Sequence, residues 1–294
     1  MRALITGVTG QDGWYLSSLL LSKGYEVYGL VRRTSHIGNV LPGVNIIYGD
    51  LTDQGSINRA VLESSPDEVY NLGAQSFVGG SWDYPASTSD ITGIGALRVL
   101  EALRIHKPGA KFYQASSSEM FGDQSGALDE TNEFMPRSPY GCAKVFAHNV
   151  AINYRESYGM FTSCGILFNH ESPRRGIEFV TQKIAQAAKN HEVVKLGNVK
   201  ARRDWGYAGD YVEAMWLMLQ HNTPDDFVIA TGESHSVEEF CNLAEVKYEI
   251  DSKFIRPADI QELVGDYSKA KEILGWEPRT SFQELVRMMV HEDS

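Results

Sequence analysis

Residues 2–13 read Arg2-Ala3-Leu4-Ile5-Thr6-Gly7-Val8-Thr9-Gly10-Gln11-Asp12-Gly13, and this stretch decides the fold. Arg2 to Thr6 is a short apolar run of strand type, and Gln11 to Lys23 reads as a helix stopped by Gly24. Glycines at 7, 10 and 13 permit a tight turn, close approach of the backbone to a pyrophosphate, and close packing of helix on strand. The helix start then offers free N–H groups and the positive end of its dipole to phosphate oxygens. A glycine pattern alone is weak. Directly after an N-terminal strand and before a helix, it becomes a dinucleotide-binding signature.

Working outward, strand-like and helix-like segments alternate. Strands are expected at Tyr25 to Val31, Val44 to Tyr48, Glu68 to Leu72, Lys111 to Ala115 and Phe161 to Leu167. Helices are expected at Asp53 to Glu63, Pro85 to Ile105 and Ser138 to Tyr158. Repeated strand–helix–strand units imply an α/β fold, a doubly wound parallel sheet with helices on both faces and ligands beyond the carboxyl ends of its strands. After residue 170 the rhythm breaks into charged loops around helices such as Gly209 to Gln220. A smaller, discontinuous C-terminal substrate-binding part is expected there, with some segments returning to the sheet.

Val31-Arg32-Arg33 stands where NAD-binding folds carry an acidic residue for the ribose 2′-hydroxyl. Guanidiniums at that place suit a 2′-phosphate, so the expected cofactor is NADP. Asp50 and Leu51 follow the third strand and face the adenine; Asn71-Leu72-Gly73-Ala74 closes over the cofactor after the fourth.

Ser138-Pro139-Tyr140-Gly141-Cys142-Ala143-Lys144 opens a helix, with Ser138 as N-cap and Pro139 at the first position. Tyr140 and Lys144 then share one helical face, where an ammonium can help make a tyrosinate base. Upstream, Ser117 can bond the reacting hydroxyl, and Glu119 adds a second acid–base group that a simple reductase does not need. Taken singly, each of these residues is as readily a solvated or capping side chain.

The segments YGDLTD (48–53), YNLGAQS (70–76), FYQASSSEMFG (112–122), PRSPYGCAK (136–144), GILFNHESPRRG (165–176), LGNVKARRDWGYAGDYVEAMWLMLQ (196–220), DFVIATGESHSV (226–237) and RPADIQELVGD (256–266) resemble the GDP-mannose 4,6-dehydratases. The likeness runs nearly the whole chain and exceeds the motifs of the wider short-chain dehydrogenase/reductase superfamily. It implies a Rossmann NADP-binding domain at 1–168, with returning segments near 204–232, and a discontinuous GDP-sugar-binding part at 169–294. It implies Ser117, Glu119, Tyr140 and Lys144 as catalytic residues. Gly7, Gly10, Gln11, Asp12, Gly13, Arg32, Asp50, Leu51, Leu72, Tyr140, Lys144 and His170 would line the NADP site. Asn169, Lys183, Arg203, Arg256 and Glu262 would bind GDP-mannose. The chain departs from the family pattern in its short segments after Arg33 and before Arg256, and in Ser117, where relatives often carry threonine.

The composition fits that picture. At 294 residues, 43% hydrophobic and 22% charged, the chain is long enough for a large core and close to the globular average. A net charge of −11 argues against nucleic acid or anionic membrane as partner. Cys142, Cys164 and Cys241 show no paired spacing, so reduced thiols in a cytoplasmic protein are expected and no metal site is. No apolar run approaches a membrane span. The long helices at 85–105 and 138–158 carry apolar residues beyond one face, among them Ile91, Ile94, Leu97, Val145, Val150 and Ile152. A homodimer is therefore expected, with a tetramer open. Two rival readings stand: a reductase or epimerase acting on the same sugars, and a non-catalytic NADP-binding regulator.

Overall fold

The computed structural model describes residues 1–254 and 260–291. In chain order the first elements are β1 (Arg2–Thr6), α1 (Gln11–Ser22), β2 (Glu26–Val31), β3 (Asn45–Tyr48), α2 (Gln54–Ser64) and β4 (Glu68–Asn71). Next come α3 (Pro85–Thr88), a π-helical stretch at Ser89–Ile94, α4 (Gly95–His106) and β5 (Lys111–Ser117). They are followed by β6 (Ala127–Leu128), α5 (Pro139–Tyr158), β7 (Thr162–Leu167), β8 (Asn169–Glu171) and α6 (Val180–Asn190). The chain continues through β9 (Val194–Leu196), β10 (Arg202–Tyr207), α7 (Ala208–Gln220), β11 (Asp226–Ile229) and β12 (Ser234–Ser236). It ends with α8 (Val237–Leu243), β13 (Tyr248–Ile250), β14 (Glu262–Gly265) and α9 (Phe282–His291).

Seven strands form one sheet in the order β11-β7-β5-β4-β1-β2-β3, every neighbouring pair parallel. The sequence of strands reverses direction between β1 and β4, which opens a crevice above their carboxyl ends. Both faces are covered, so inner strands are buried along their whole length, polar residues included: every residue of β4 and β7 is buried. One face packs Leu16 and Leu20 of α1 against Met215 and Met218 of α7. The other packs Ile57 and Val61 of α2 with Leu100 and Leu103 of α4 and Ala151 of α5.

The helix expected over residues 85–105 is broken by the π-helical stretch, a difference with a local cause. Thr92 Oγ1 accepts the amide of Gln75 at 3.1 Å, and Gly93 lies against Ala143 of α5, so the extra residue per turn serves packing on both sides.

Past β7 the chain leaves the main sheet. A second sheet runs β12-β10-β14-β6, with β8 paired to β10, and β9 pairs with β13. Helices α6, α8 and α9 close a separate core around Trp205, Phe240, Phe282 and Leu285. Between these segments, α7 packs on α1 and β11 pairs with β7, so residues 208–229 belong spatially to the main sheet. Among the described residues no helix is long and apolar enough to cross a membrane.

Candidate functional site

A cavity of about 500 Å³ opens above the carboxyl ends of β1, β4 and β5. Its floor is the loop between β1 and α1. Gly7 has φ +74°, and a Cβ there would sit 2.8 Å from the amide nitrogen of Gly73, so no other residue lets these two loops touch. At Gly13 a Cβ would meet the carbonyl oxygen of Gly7 at 2.5 Å, which is the close helix-on-loop packing that the pattern implies. Helix α1 starts at Gly10 with no side-chain cap, whereas Asp53 and Ser138 cap α2 and α5. An uncapped, cavity-facing N-terminus is a ready anion site, and the glycine cradle admits a diphosphate. The residues present therefore fit a dinucleotide.

Arg32, Asp50, Leu51 and Leu72 line the same cavity. Arg33 is not among its lining residues; its guanidinium lies 5.7 Å from the centroid of the Tyr48 ring. The arginine pair is thus split, one turned to the cavity and one stacked outside it. Asp50 uses Oδ1 to accept from the amide and hydroxyl of Thr52, at 2.9 and 2.8 Å.

Ser117 ends β5, and Glu119 lies in the single turn that follows. Tyr140 and Lys144 occupy the first turns of α5, whose N-cap Ser138 Oγ accepts from the amide of Gly141 at 3.0 Å. Gly141 was not singled out by its place between the tyrosine and the lysine, yet it sets the geometry. A Cβ there would stand 2.8 Å from the carbonyl oxygen of Glu119, so only glycine brings α5 this close to the Glu119 turn. Lys144 Nζ donates to the Ala115 carbonyl at 2.7 Å and lies 5.6 Å from the Tyr140 ring centroid.

Burial dominates the titration of the pair. The Tyr140 phenol is pushed up to about 12 by desolvation, eased by a hydrogen bond with Ser117 and raised further by the Glu119 charge. Desolvation pushes the Lys144 ammonium down to about 8, with Asp12 opposing the change. The protein alone keeps the phenol protonated at neutral pH, so making a tyrosinate takes further positive charge beside it.

The far wall comes from the crossing between β7 and α6. Asn169, His170, Arg175, Glu178 and Phe179 line the cavity there, and Phe77 of the loop after β4 meets Phe179 edge to face at 5.9 Å. Arg175 stacks its guanidinium 3.6 Å from the Phe179 ring centroid and pairs with Glu171 at 3.0 Å. Arg175, Glu178, Phe77 and Phe179 were absent from the sequence-derived site. They stand on loops with no period, and the one available signal was the second arginine of the Pro-Arg-Arg-Gly run beside His170.

Lys183, Arg203 and Glu262 do not line this cavity. Lys183 on α6 stands 4.9 Å from the Phe254 ring. Arg203 on β10 donates to the carbonyls of Arg202 and Ile260, at 2.8 and 2.9 Å. Glu262 on β14 accepts from Ser234 Oγ at 2.5 Å and pairs with Arg202 at 3.3 Å. Arg256 lies outside the described residues. Elsewhere, His148, Cys164 and Asp226 bring potential ligand atoms within 4.8 Å of one another. Arg155 already holds Asp226 at 2.5 Å and Ser116 Oγ meets His148 Nδ1 at 2.9 Å, which makes this a self-satisfied polar knot under the sheet.

With this geometry in place, the comparisons with known proteins are specific. A family model described as GDP-mannose 4,6 dehydratase matches residues 4–289. The chain is 51% identical to GDP-mannose 4,6 dehydratase 2 of Arabidopsis thaliana, over 99% of this chain and 86% of that protein. It is 46% identical to the GDP-mannose 4,6 dehydratase of Homo sapiens, over 99% and 91%. Among solved structures it resembles the UDP-glucose 4-epimerase of Thermus thermophilus in complex with NAD, with a TM-score of 0.91 and 29% identity, covering 99% of this chain and 98% of that one.

Proposed function

The chain belongs to the GDP-mannose 4,6-dehydratase family, and from that premise we propose that it is a hydro-lyase that removes water from GDP-mannose to give GDP-4-keto-6-deoxymannose, with NADP as its cofactor. The observation that carries the reading is a carboxylate, Glu119, lining one cavity with Ser117, Tyr140 and Lys144. A reductase or epimerase needs only the hydroxyl, phenol and ammonium; elimination needs the additional proton carrier.

The dinucleotide, when bound, supplies the hydride acceptor for the first half of the reaction and the donor for the second. Backbone at Gly7, Gly10, Gln11, Asp12 and Gly13 holds its diphosphate, and Asp50, Leu51 and Leu72 flank the adenosine. Arg32 meets the 2′-phosphate that distinguishes NADP from NAD. Ser117 bonds the sugar 4-hydroxyl, and Tyr140 Oη takes its proton as phenolate, the state that the positive nicotinamide of a bound dinucleotide would favour together with Lys144. Glu119 removes the C5 proton, made acidic by the 4-ketone, and returns a proton to the departing 6-hydroxyl.

Asn169 and His170 border the sugar and nicotinamide side. Lys183, Arg203, Arg256 and Glu262 keep the family pattern and take the GDP moiety. The division of labour follows: residues 1–168 with the returning segment near 204–232 hold the dinucleotide, and the rest of 169–294 binds the sugar nucleotide. A cytoplasmic homodimer is the proposed minimum unit, formed through α4 and α5, where Ile105, Phe146 and Tyr158 are exposed. Light scattering after size exclusion then gives at least twice the chain mass.

Mass spectrometry of GDP-mannose incubated with the enzyme and NADP tests the reaction. The expected result is loss of one water with no net change in nicotinamide absorbance. Consumption of NADPH in step with product, without dehydration, moves the protein to the reductases.

A further inference from the structure

The first turn of α1 does more than face the cavity. Asp12 Oδ2 lies 2.9 Å from His170 Nε2, and His170 Nδ1 lies 2.8 Å from the carbonyl oxygen of Phe168. Beside this pair, Gln11 Nε2 donates to the His170 carbonyl at 3.0 Å, and Gln11 Oε1 accepts from Ser172 Oγ at 2.7 Å. Ser172 Oγ in turn accepts from the amide of Arg174, whose guanidinium lies 4.1 Å from the Trp14 ring centroid. The contacts of Asp12, Gln11 and Trp14 join the β1–α1 loop and its helix to His170, Ser172 and Arg174 of the crossing that leaves the main sheet, and the other two brace that crossing from within.

We infer that Asp12 and His170 are positioning residues, a carboxylate–imidazolium clasp that fixes the crossing, and with it Asn169 and Arg175, over the cofactor side of the cavity. The charge follows from hydrogen-bond chemistry. A carbonyl oxygen only accepts, so Nδ1 carries a proton; a carboxylate only accepts, so Nε2 carries one too. A neutral ring has a single N–H. The proton sits on the ring rather than on the carboxyl. Burial acts to raise Asp12, but the His170 charge and hydrogen bond outweigh it and hold the carboxyl below its usual range. Burial acts to lower His170, and Asp12 reverses that as well.

The surrounding groups are mixed in sign. Arg175 opposes the ring charge from beyond β8. Tyr211 of α7 stacks on the ring at 4.6 Å, and Glu171 is the next residue of β8. On the Asp12 side stand Lys144 of α5 and Tyr113 of β5, each coupled to its charge. With one adjacent cation opposing it, the imidazolium depends on Asp12.

The clasp joins the two halves, so its loss falls on the placement of what the crossing holds over the cavity. Displacement of a positioning contact by about 1 Å costs on the order of 100-fold in rate. The test has two arms, and only the kinetic one rests on the dehydratase reading. In the NADP-saturated protein, nitrogen-15 NMR of labelled histidines at pH 7.5 reads the ring state directly, with His170→Asn assigning the signal. A doubly protonated His170 that becomes singly protonated in Asp12→Asn is expected. A neutral His170 in the wild-type protein overturns the proposal, whatever the reaction proves to be. In the kinetic arm, with NADP saturating, Asp12→Asn lowers kcat/KM for GDP-mannose about 10- to 100-fold. The Asp12→Asn/His170→Asn double variant is no worse than the poorer single one. Additive losses overturn it.

Discussion

The main sheet and the second sheet are built by different rules, and the contrast explains what each contributes. In the main sheet, consecutive strands carry their loops to one edge, so Thr6-to-Gly13, Asp50, Leu72 and Ser117 converge because each follows a strand. Around the second sheet, order depends on single side chains that gather distant backbone. Asp204 of β10 accepts from the amides of Thr231 and Gly232 and from that of Gly265, across 61 residues of sequence. Asp210 does the same for Arg279 and Thr280. The proposed chemistry sits on the first kind of scaffold, and buried carboxylates tie the second kind together.

If that division holds, substitutions in the first region cost rate and those in the second cost stability. The largest effect is expected at the reacting groups. Tyr140→Phe or Glu119→Gln lowers kcat about 100- to 10,000-fold, with the melting temperature within about 2 °C of wild type. Steady-state kinetics beside calorimetry decides it. Near-normal turnover of Glu119→Gln would place the C5 base elsewhere, and a collapse in stability would blur the contrast itself.

Next in size is Asp204→Ala. Burial pushes the Asp204 carboxyl up to about 6 even with Thr231, Gly232 and Gly265 bonded to it. Removing it strands the buried Gly265 amide at roughly 1–3 kcal/mol and takes a charged hydrogen-bond partner from the more open Thr231 and Gly232 amides. A loss of at least about 3 kcal/mol is expected, which lowers Tm by ~6–12 °C for a chain of this size. A variant that melts like wild type would show that the second sheet closes without this knot.

Much of the first region was legible because its order is local. Alternation of apolar runs with amphipathic segments located β1 to β5, β7 and the helices between them to within a few residues. The glycine spacing located the tight loop between β1 and α1, and Ser138-Pro139 the start of α5. What escaped lies in contacts between segments. The π-helical stretch answers to Gln75 and α5, Gly141 to the Glu119 carbonyl, and Arg175 with Phe179 to a loop without period. Lys183, Arg203 and Glu262 came only from family likeness, and the β10–β14 pairing that seats Arg203 and Glu262 is one that no local pattern encodes.

The arginine pair sharpens the comparison inside the first region, because two adjacent identical residues have different surroundings. Arg32 lines the cavity and Arg33 stacks by Tyr48. Charge-assisted hydrogen bonds contribute ~1.5–3 kcal/mol, so Arg32→Ala weakens NADP about 10- to 100-fold and leaves NAD nearly unchanged. Arg33→Ala changes either affinity by less than about threefold. Titration of both cofactors against both variants settles the assignment, and equal effects of the two would make the pair structural.

The smallest expected effect on stability lies at the joint between the regions, and its signature is its dependence on pH. The folded-state pKa of His170 is raised above its ordinary 6.5, so its contribution is fully present below that value and fades as pH rises through the raised one. Asp12 is depressed below its ordinary 3.8, so its contribution is present above that value and fades as pH falls through the lower one. The two windows overlap between about pH 4 and 6.5, where the clasp stabilises the fold most. The melting temperature of Asp12→Asn should therefore fall furthest below wild type in that interval. The gap should narrow on the alkaline side, as His170 loses its proton in the wild type. The difference is on the order of 1–2 kcal/mol, a shift of ~2–8 °C, because the ring loses a charged partner but keeps the Phe168 carbonyl. A gap that is flat from pH 5 to pH 9 would mean that Asp12 contributes shape alone, and the two regions would then be joined by packing and the Gln11 strap rather than by charge.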